Sequence, residues 1–326
     1  MEEVSPISVL WGNIIHTFEN IDPNGLVNHK NAVEQGLVNP EIDYDMCREG
    51  KIKTPFAHLL NRNIYVQEAY LEHLWAFIYS MQVIYDVGVQ LPMKNGTFNG
   101  EVLFNNPLLN RAYKLFEWSI SLVDKITPWD IKLPNPKIHH NDCEKFFAEK
   151  VNALFQNSVA YILYHEYAHL TLGHDCYYLG RNKFDMESLS EEEISTFKQL
   201  EQEADLFAFD RVTDRANHGV KRLIDGLPIF MAICSSLFLL KKPTKIQQNK
   251  HPDLDLRLMN FLSELDLYEE DDRFYMYYFG CFAIIMFLRK HNIPPTPKND
   301  NTAKDYFYNL LQDLDEIKFH DEIKYS

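Results

Sequence analysis

The chain has 326 residues, 46% of them hydrophobic and 13% aromatic, with 12 glycines. That is too much apolar material for a disordered chain, and enough to bury a sizeable core as one large domain or two small ones. A formal net charge of −15, with no Lys/Arg-rich stripe to offset it, would repel a phosphate backbone and argues against nucleic acid as a partner.

The first residues, MEEVSPISVLWGN, are acidic where a signal peptide would be basic, so the expected location is the cytoplasm, with membrane association as the alternative. Strand-like alternation is sparse, and the expected fold is mainly α, with room for a small β element at the active-site cleft. Helical patterns run through 64–87 and 108–126. The Pro-rich stretch Leu133–Lys137 is a loop, because Pro removes a donor and biases its predecessor away from helix. It marks a weak boundary near 133–141 inside a single domain spanning 1–326, since the apolar helices on both sides need partners.

The next pattern, 142–172, contains Tyr164-His165-Glu166-Tyr167-Ala168-His169-Leu170, an H-E-x-x-H sequence. Residues four apart on a helix sit about 40° from each other, so the two imidazoles can converge on one tetrahedral cation. Glu166 falls in the same arc, where a carboxylate can take a proton from a water activated by the metal. So short a pattern can arise by chance, but its flanks argue otherwise. Ser158–Tyr164 is apolar and helix-compatible, and Gly173 supplies a terminator. A third histidine ten residues after the first would complete a metzincin set, but that position is Asp175. His174 is one residue short and reads as a helix-end residue beside the site.

A third ligand is expected instead from Glu201-Gln202-Glu203-Ala204-Asp205 in the pattern 190–217, which Ser190 and Glu193 open as a capping box. Ile194, Phe197, Glu201, Ala204, Ala208 and Val212 share one face. An ionised carboxylate in that apolar stripe is costly unless it meets a cation, which favours Glu201 over Glu203. Glu203 lies about 160° away on the polar side. Asp205 faces the same way as Glu201 and can accept a hydrogen bond from a ligating imidazole.

Two apolar runs follow, Leu227–Leu240 and Phe274–Leu288, inside helical patterns 227–241 and 272–291. As helices they would reach about 21–23 Å, short of a hydrocarbon core of roughly 30 Å, and are expected to be buried. Patterns 253–266 and 302–316 complete the chain, with Ile293–Lys298 as a second Pro-rich loop. The five cysteines, Cys47, Cys143, Cys176, Cys234 and Cys281, are scattered and never form a C-x-x-C pair, which indicates neither a disulfide framework nor a cysteine zinc knuckle.

Together H-E-x-x-H and E-x-x-A-D resemble the gluzincin metallopeptidases, especially the group containing the HtpX-type and prenyl-protein endopeptidases. His251-Pro252 with Arg257 resembles the His-Pro and downstream Arg of that group. The resemblance implies His251 as a transition-state donor and Arg257 as support for the site. It covers roughly 158–260, with the catalytic half at about 142–266, and the long spanning segments of the membrane-embedded members are missing. A chain of this kind looks more like the phage-exclusion peptidases of the Lit type, and Ile64–Asp86 is consistent with the helical N-terminal part of that family. The resemblance implies a latent zinc endopeptidase that cleaves a protein substrate such as a translation factor when a phage component triggers it. Peptide deformylase chemistry is disfavoured, because its cysteine ligand and glycine motif are absent. The rival reading is a non-catalytic helical interaction protein with a structural zinc site.

Overall fold

All 18 residues of Glu68–Tyr85 are buried, and this helix (α3) forms the middle of the molecule. A helix this rich in apolar residues, with its few polar ones such as Glu72 and His73 also buried, has no solvent face to offer, so other elements must cover it on every side. In the computed structural model, which describes residues 5–104, 106–174, 189–246, 251–267, 270–296 and 302–318, they do. Asp175 and Cys176 lie outside the described residues.

Ahead of α3 come a 3₁₀ turn, Pro6–Leu10, two helices, α1 (Trp11–Asn20) and α2 (Gly25–Glu34), and three short strands. The strands are β1 (Asp43–Asp45), β2 (Phe56–His58) and β3 (Asn63–Gln67), ordered β1-β3-β2. β1 is parallel and β2 antiparallel to the central β3, with Ala57 opposite Ile64 and Asp43 opposite Tyr65. After α3 the chain continues through α4 (Leu91–Lys94), α5 (Pro107–Ser121), α6 (Asp142–Thr171), α7 (Glu191–Val212), α8 (Val220–Phe238), α9 (Leu254–Leu265), α10 (Glu270–Lys290) and α11 (Ala303–Lys318). The fold is mainly α with a small sheet, as the sequence predicts.

The pattern 64–87 is a helix only from residue 68. Ile64 and Val66 alternate with half-buried Asn63 and Tyr65, and the β-branched and aromatic residues of this run pair into a sheet instead of extending α3. Residues 11–34, which carry no sequence-level assignment, form α1 and α2. Gly25 opens α2 where a Cβ would come within 2.6 Å of the Tyr164 hydroxyl and 2.9 Å of the Glu19 carbonyl, so only glycine fits against α6. The apolar run 227–240 belongs to α8, which begins earlier, at Val220, and runs through Pro228. α8 is largely buried, as is the described part of α10. Among the described residues no helix is long and apolar enough to cross a membrane.

At 30 residues, α6 is about 45 Å long. Asn141 Oδ1 accepts from the Glu144 amide at its start, and Gly173, at φ +78°, occupies the left-handed position at its end. It packs against α1, α3, α7 and α8, and the edge strand β2 lies alongside it. The Ser190–Glu193 capping box is formed as predicted, with amide–side chain distances of 2.8 and 3.3 Å, and it fixes the start of α7.

Candidate active site

Three helical segments meet where α6 faces α7 and the start of α9. His165 and His169 project from α6, Glu201 from α7, and all three are buried. His165 Nε2 lies 3.2 Å from Glu201 Oε2 and 3.2 Å from His169 Nε2, and His169 Nε2 is 3.5 Å from Glu201 Oε1. Ligand atoms about 2.0–2.2 Å from a zinc ion at the centre of a tetrahedron lie about 3.3–3.6 Å apart. Each histidine nitrogen thus stands at about that spacing from the other and from one oxygen of Glu201, and the His165–His169–Glu201 group can hold a metal ion. Of the two candidate glutamates, Glu201 turns inward. Glu203 is half exposed, and its carboxylate accepts from Gln199 and stands 3.5 Å from His174 Nε2.

Each ligand is gripped from behind. His165 Nδ1 donates to Asp205 Oδ1 at 2.9 Å, which leaves Nε2 to face the other two ligand atoms. The same Asp205 accepts from the Tyr161 hydroxyl (2.9 Å) and from Arg257 through Nε (2.9 Å) and Nη2 (2.6 Å). Asp205 and Arg257 thus stand behind His165. His251 Nδ1 donates to Glu201 Oε2 at 2.7 Å. His251 therefore holds the third ligand through one nitrogen, leaving Nε2 for any donation to substrate. Buried His174 meets His169, Nδ1 to Nδ1, at 3.0 Å.

Glu166, beside the three ligands, accepts from the Ala57 amide of β2 at 2.7 Å. It lines a cleft of roughly 260 Å³ together with His165, His251, Tyr70, Tyr161 and Arg257. The far walls are Thr54–Pro55, ahead of β2, and the apolar residues Ala232, Ile233, Leu239 and Leu240. Arg62, in the turn between β2 and β3, reaches the Leu170 carbonyl near the C-terminus of α6 (3.3 Å) and anchors the sheet to that helix.

The electrostatics fit a cation site. Burial would raise the Glu201 carboxyl, but hydrogen bonds from His165, His169 and His251 hold it far below the usual carboxylate range. Burial likewise opposes ionisation of Asp205, and Arg257 and His165 overcome it. In the metal-free chain burial works against a charge on His165, yet hydrogen bonds to Asp205 and Glu201 raise it to about 10. Buried Glu201 and half-buried Asp205 are thus both held ionised by the positive groups around them. Glu166 behaves differently. Burial pushes its carboxyl up, with the two histidines as a counterweight, as suits a group that must accept a proton and release it.

The residues assigned roles from sequence converge here, His174 beside His169 among them, and three further contributors join them. Tyr161 was legible in principle, since 161, 165 and 169 follow one another at helical spacing on one face of α6. The Ala57 amide and the Tyr70 side chain reach the site through tertiary packing.

The family model for Peptidase U49 matches residues 64–280, which include the two histidines of α6, Glu166, Glu201, His251 and Arg257 and all of the named cleft residues except Thr54 and Pro55. No curated protein matches the chain, and no solved structure matches it.

Proposed function

The chain belongs to the Peptidase U49 family, and from that premise we propose that it is a zinc-dependent endopeptidase with His165, His169 and Glu201 as metal ligands. Membership makes it a peptidase. The zinc dependence rests on one observation above the others, the buried His165, His169 and Glu201 side chains turned towards one another beside the cleft, each histidine nitrogen 3.2–3.5 Å from the other and from a Glu201 oxygen.

Zinc bound there supplies Lewis acidity toward a water and a peptide carbonyl. Glu166, held by the Ala57 amide, takes the proton of the attacking water and delivers it to the leaving amine. His251 steadies Glu201 through Nδ1 and offers Nε2 to the developing oxyanion. Serving both at once requires the doubly protonated ring. Asp205, clamped by Arg257, keeps His165 in the tautomer that presents Nε2.

A structural zinc site has no use for a carboxylate such as Glu166 at the side of a cleft, and this favours an enzyme over a helical interaction protein. The resemblance to Lit-type peptidases supports the narrower reading of a latent cytoplasmic protease. It would be set off by a phage component and directed at a protein substrate such as a translation factor. The deciding experiment is Glu166→Gln. We expect it to keep one zinc per chain and the wild-type fold while losing hydrolysis. Wild-type hydrolysis by Glu166→Gln, or a wild-type protein without stoichiometric metal, would refute the mechanism.

A further inference from the structure

Lys318, in the last described turn of α11, is a buried cation far along the chain from the cleft, with a side chain 2% exposed. Its ammonium contacts Asp255 Oδ2 at 2.7 Å, Asp253 Oδ2 at 3.0 Å and Asp315 Oδ1 at 3.0 Å. Taking an ammonium and two nearly buried carboxylates out of water costs several kcal/mol per ion before any attraction is recovered. A well-packed apolar residue would serve stability as well, so the arrangement is better understood by what it fixes in place.

Asp253 and Asp255 flank the start of α9, between the two site residues of that segment. His251 stands two residues before Asp253, and Arg257 two residues after Asp255. The first of these ends on Glu201 and the second on Asp205. Asp253 is also held from the other side, by Lys198 at 3.1 Å, one turn before Glu201 on α7. The Asp253 carboxylate therefore bridges the ligand-bearing helix and the C-terminal helix. α11 also packs on the turn Pro243–Ile246, so it braces the chain on both sides of His251.

We propose that Lys318 is a positioning residue of the active site: by tying Asp253 and Asp255 to α11 it sets the 251–257 segment so that His251 meets Glu201 and Arg257 meets Asp205. Lys318 lies beyond residues 64–280, so the segment that carries His251 and Arg257 would be set by a helix outside the stretch that the family model matches. The inference rests on the peptidase reading, and its test includes a readout independent of hydrolysis.

The full-length chain is loaded with Co²⁺, whose visible absorption bands respond to ligand geometry, and the same protein loaded with zinc is assayed on dye-labelled casein. Lys318→Met should remain folded and bind one Co²⁺, with shifted bands and a casein rate lower by about tenfold, the lower end for loss of an outer partner of a metal site. Lys318→Arg, which keeps the cation, should restore most of both. Asp255→Asn is the milder variant, in case Lys318→Met does not fold, and should shift the bands in the same direction. Wild-type bands in folded Lys318→Met or Asp255→Asn would overturn the proposal. If the casein turnover of the wild type survives in Glu166→Gln while the Lys318 variants still shift the bands, the peptidase mechanism fails and the positioning role stands.

Discussion

Asp205 carries two burdens, and truncating it should separate them. Asp205→Ala removes the acceptor of His165 Nδ1–H at 2.9 Å and the partner of both Arg257 contacts at 2.9 and 2.6 Å. Loss of an outer partner of a metal ligand weakens binding about 10–100-fold, or about 1.4–2.7 kcal/mol. The second effect is larger. Arg257, only 17% exposed, loses its ion-pair partner, and stranding one member of a buried pair costs about 3–5 kcal/mol of fold stability, of which about 3 kcal/mol is expected for this partly exposed pair. Zinc affinity, measured by competition with a chromophoric chelator near neutral pH, should fall by the first amount. The stability of the metal-free protein, measured by guanidinium unfolding so that zinc does not contribute, should fall by the second. The double variant Asp205→Ala/Arg257→Met removes the stranded charge, so it should recover much of the stability and none of the zinc affinity. Asp205→Asn keeps an oxygen for His165 and should lie at the mild end on zinc. If Asp205→Ala binds zinc as the wild type does, or if the double variant regains affinity, the orienting role of Asp205 is refuted.

Further outcomes follow from the same geometry. His165→Ala or His169→Ala should abolish stoichiometric zinc in elemental analysis. Glu201→Ala should weaken zinc far more than Glu203→Ala, and the reverse order would mean that the wrong glutamate has been assigned. His73, wholly buried in α3 beside the Ser119 and Ser235 carbonyls, is pushed by burial from 6.5 to about 4. The folded protein keeps it neutral while the unfolded chain takes up a proton below pH 6.5. Stability is thus intact above that pH and falls as the pH drops towards 4, by about 3 kcal/mol from this residue. Unfolding curves of His73→Gln across that window should show a shallower acid slope, and an unchanged slope would exclude His73 as the cause. Unassisted turnover of casein by the wild type should be weak on the proposed latent reading, because an uncontrolled peptidase would attack the other proteins of its own compartment. Rapid degradation of diverse unfolded proteins, abolished in Glu166→Gln, would uphold the chemistry and refute the latency.

The sequence determined what helical periodicity can encode. His165 and His169 four apart, Glu166 in the same arc and Glu201 in an apolar stripe with Asp205 one turn on were all legible, because positions on a helix face follow from spacing alone. The same logic misread residues 64–67, where an apolar run too short to show its own period was absorbed into the helix that follows. Only there does β3 form, and only through its pairing does β2 bring the Ala57 amide to Glu166, 109 residues away in the chain. The tertiary structure alone decided this and the joining of His251 to Glu201 and of His174 to His169. It alone also brought Lys318 to Asp255, 63 residues away. Each depends on how separate elements dock, and the burial of α3 on all sides, which forces that docking, depends on the whole chain at once.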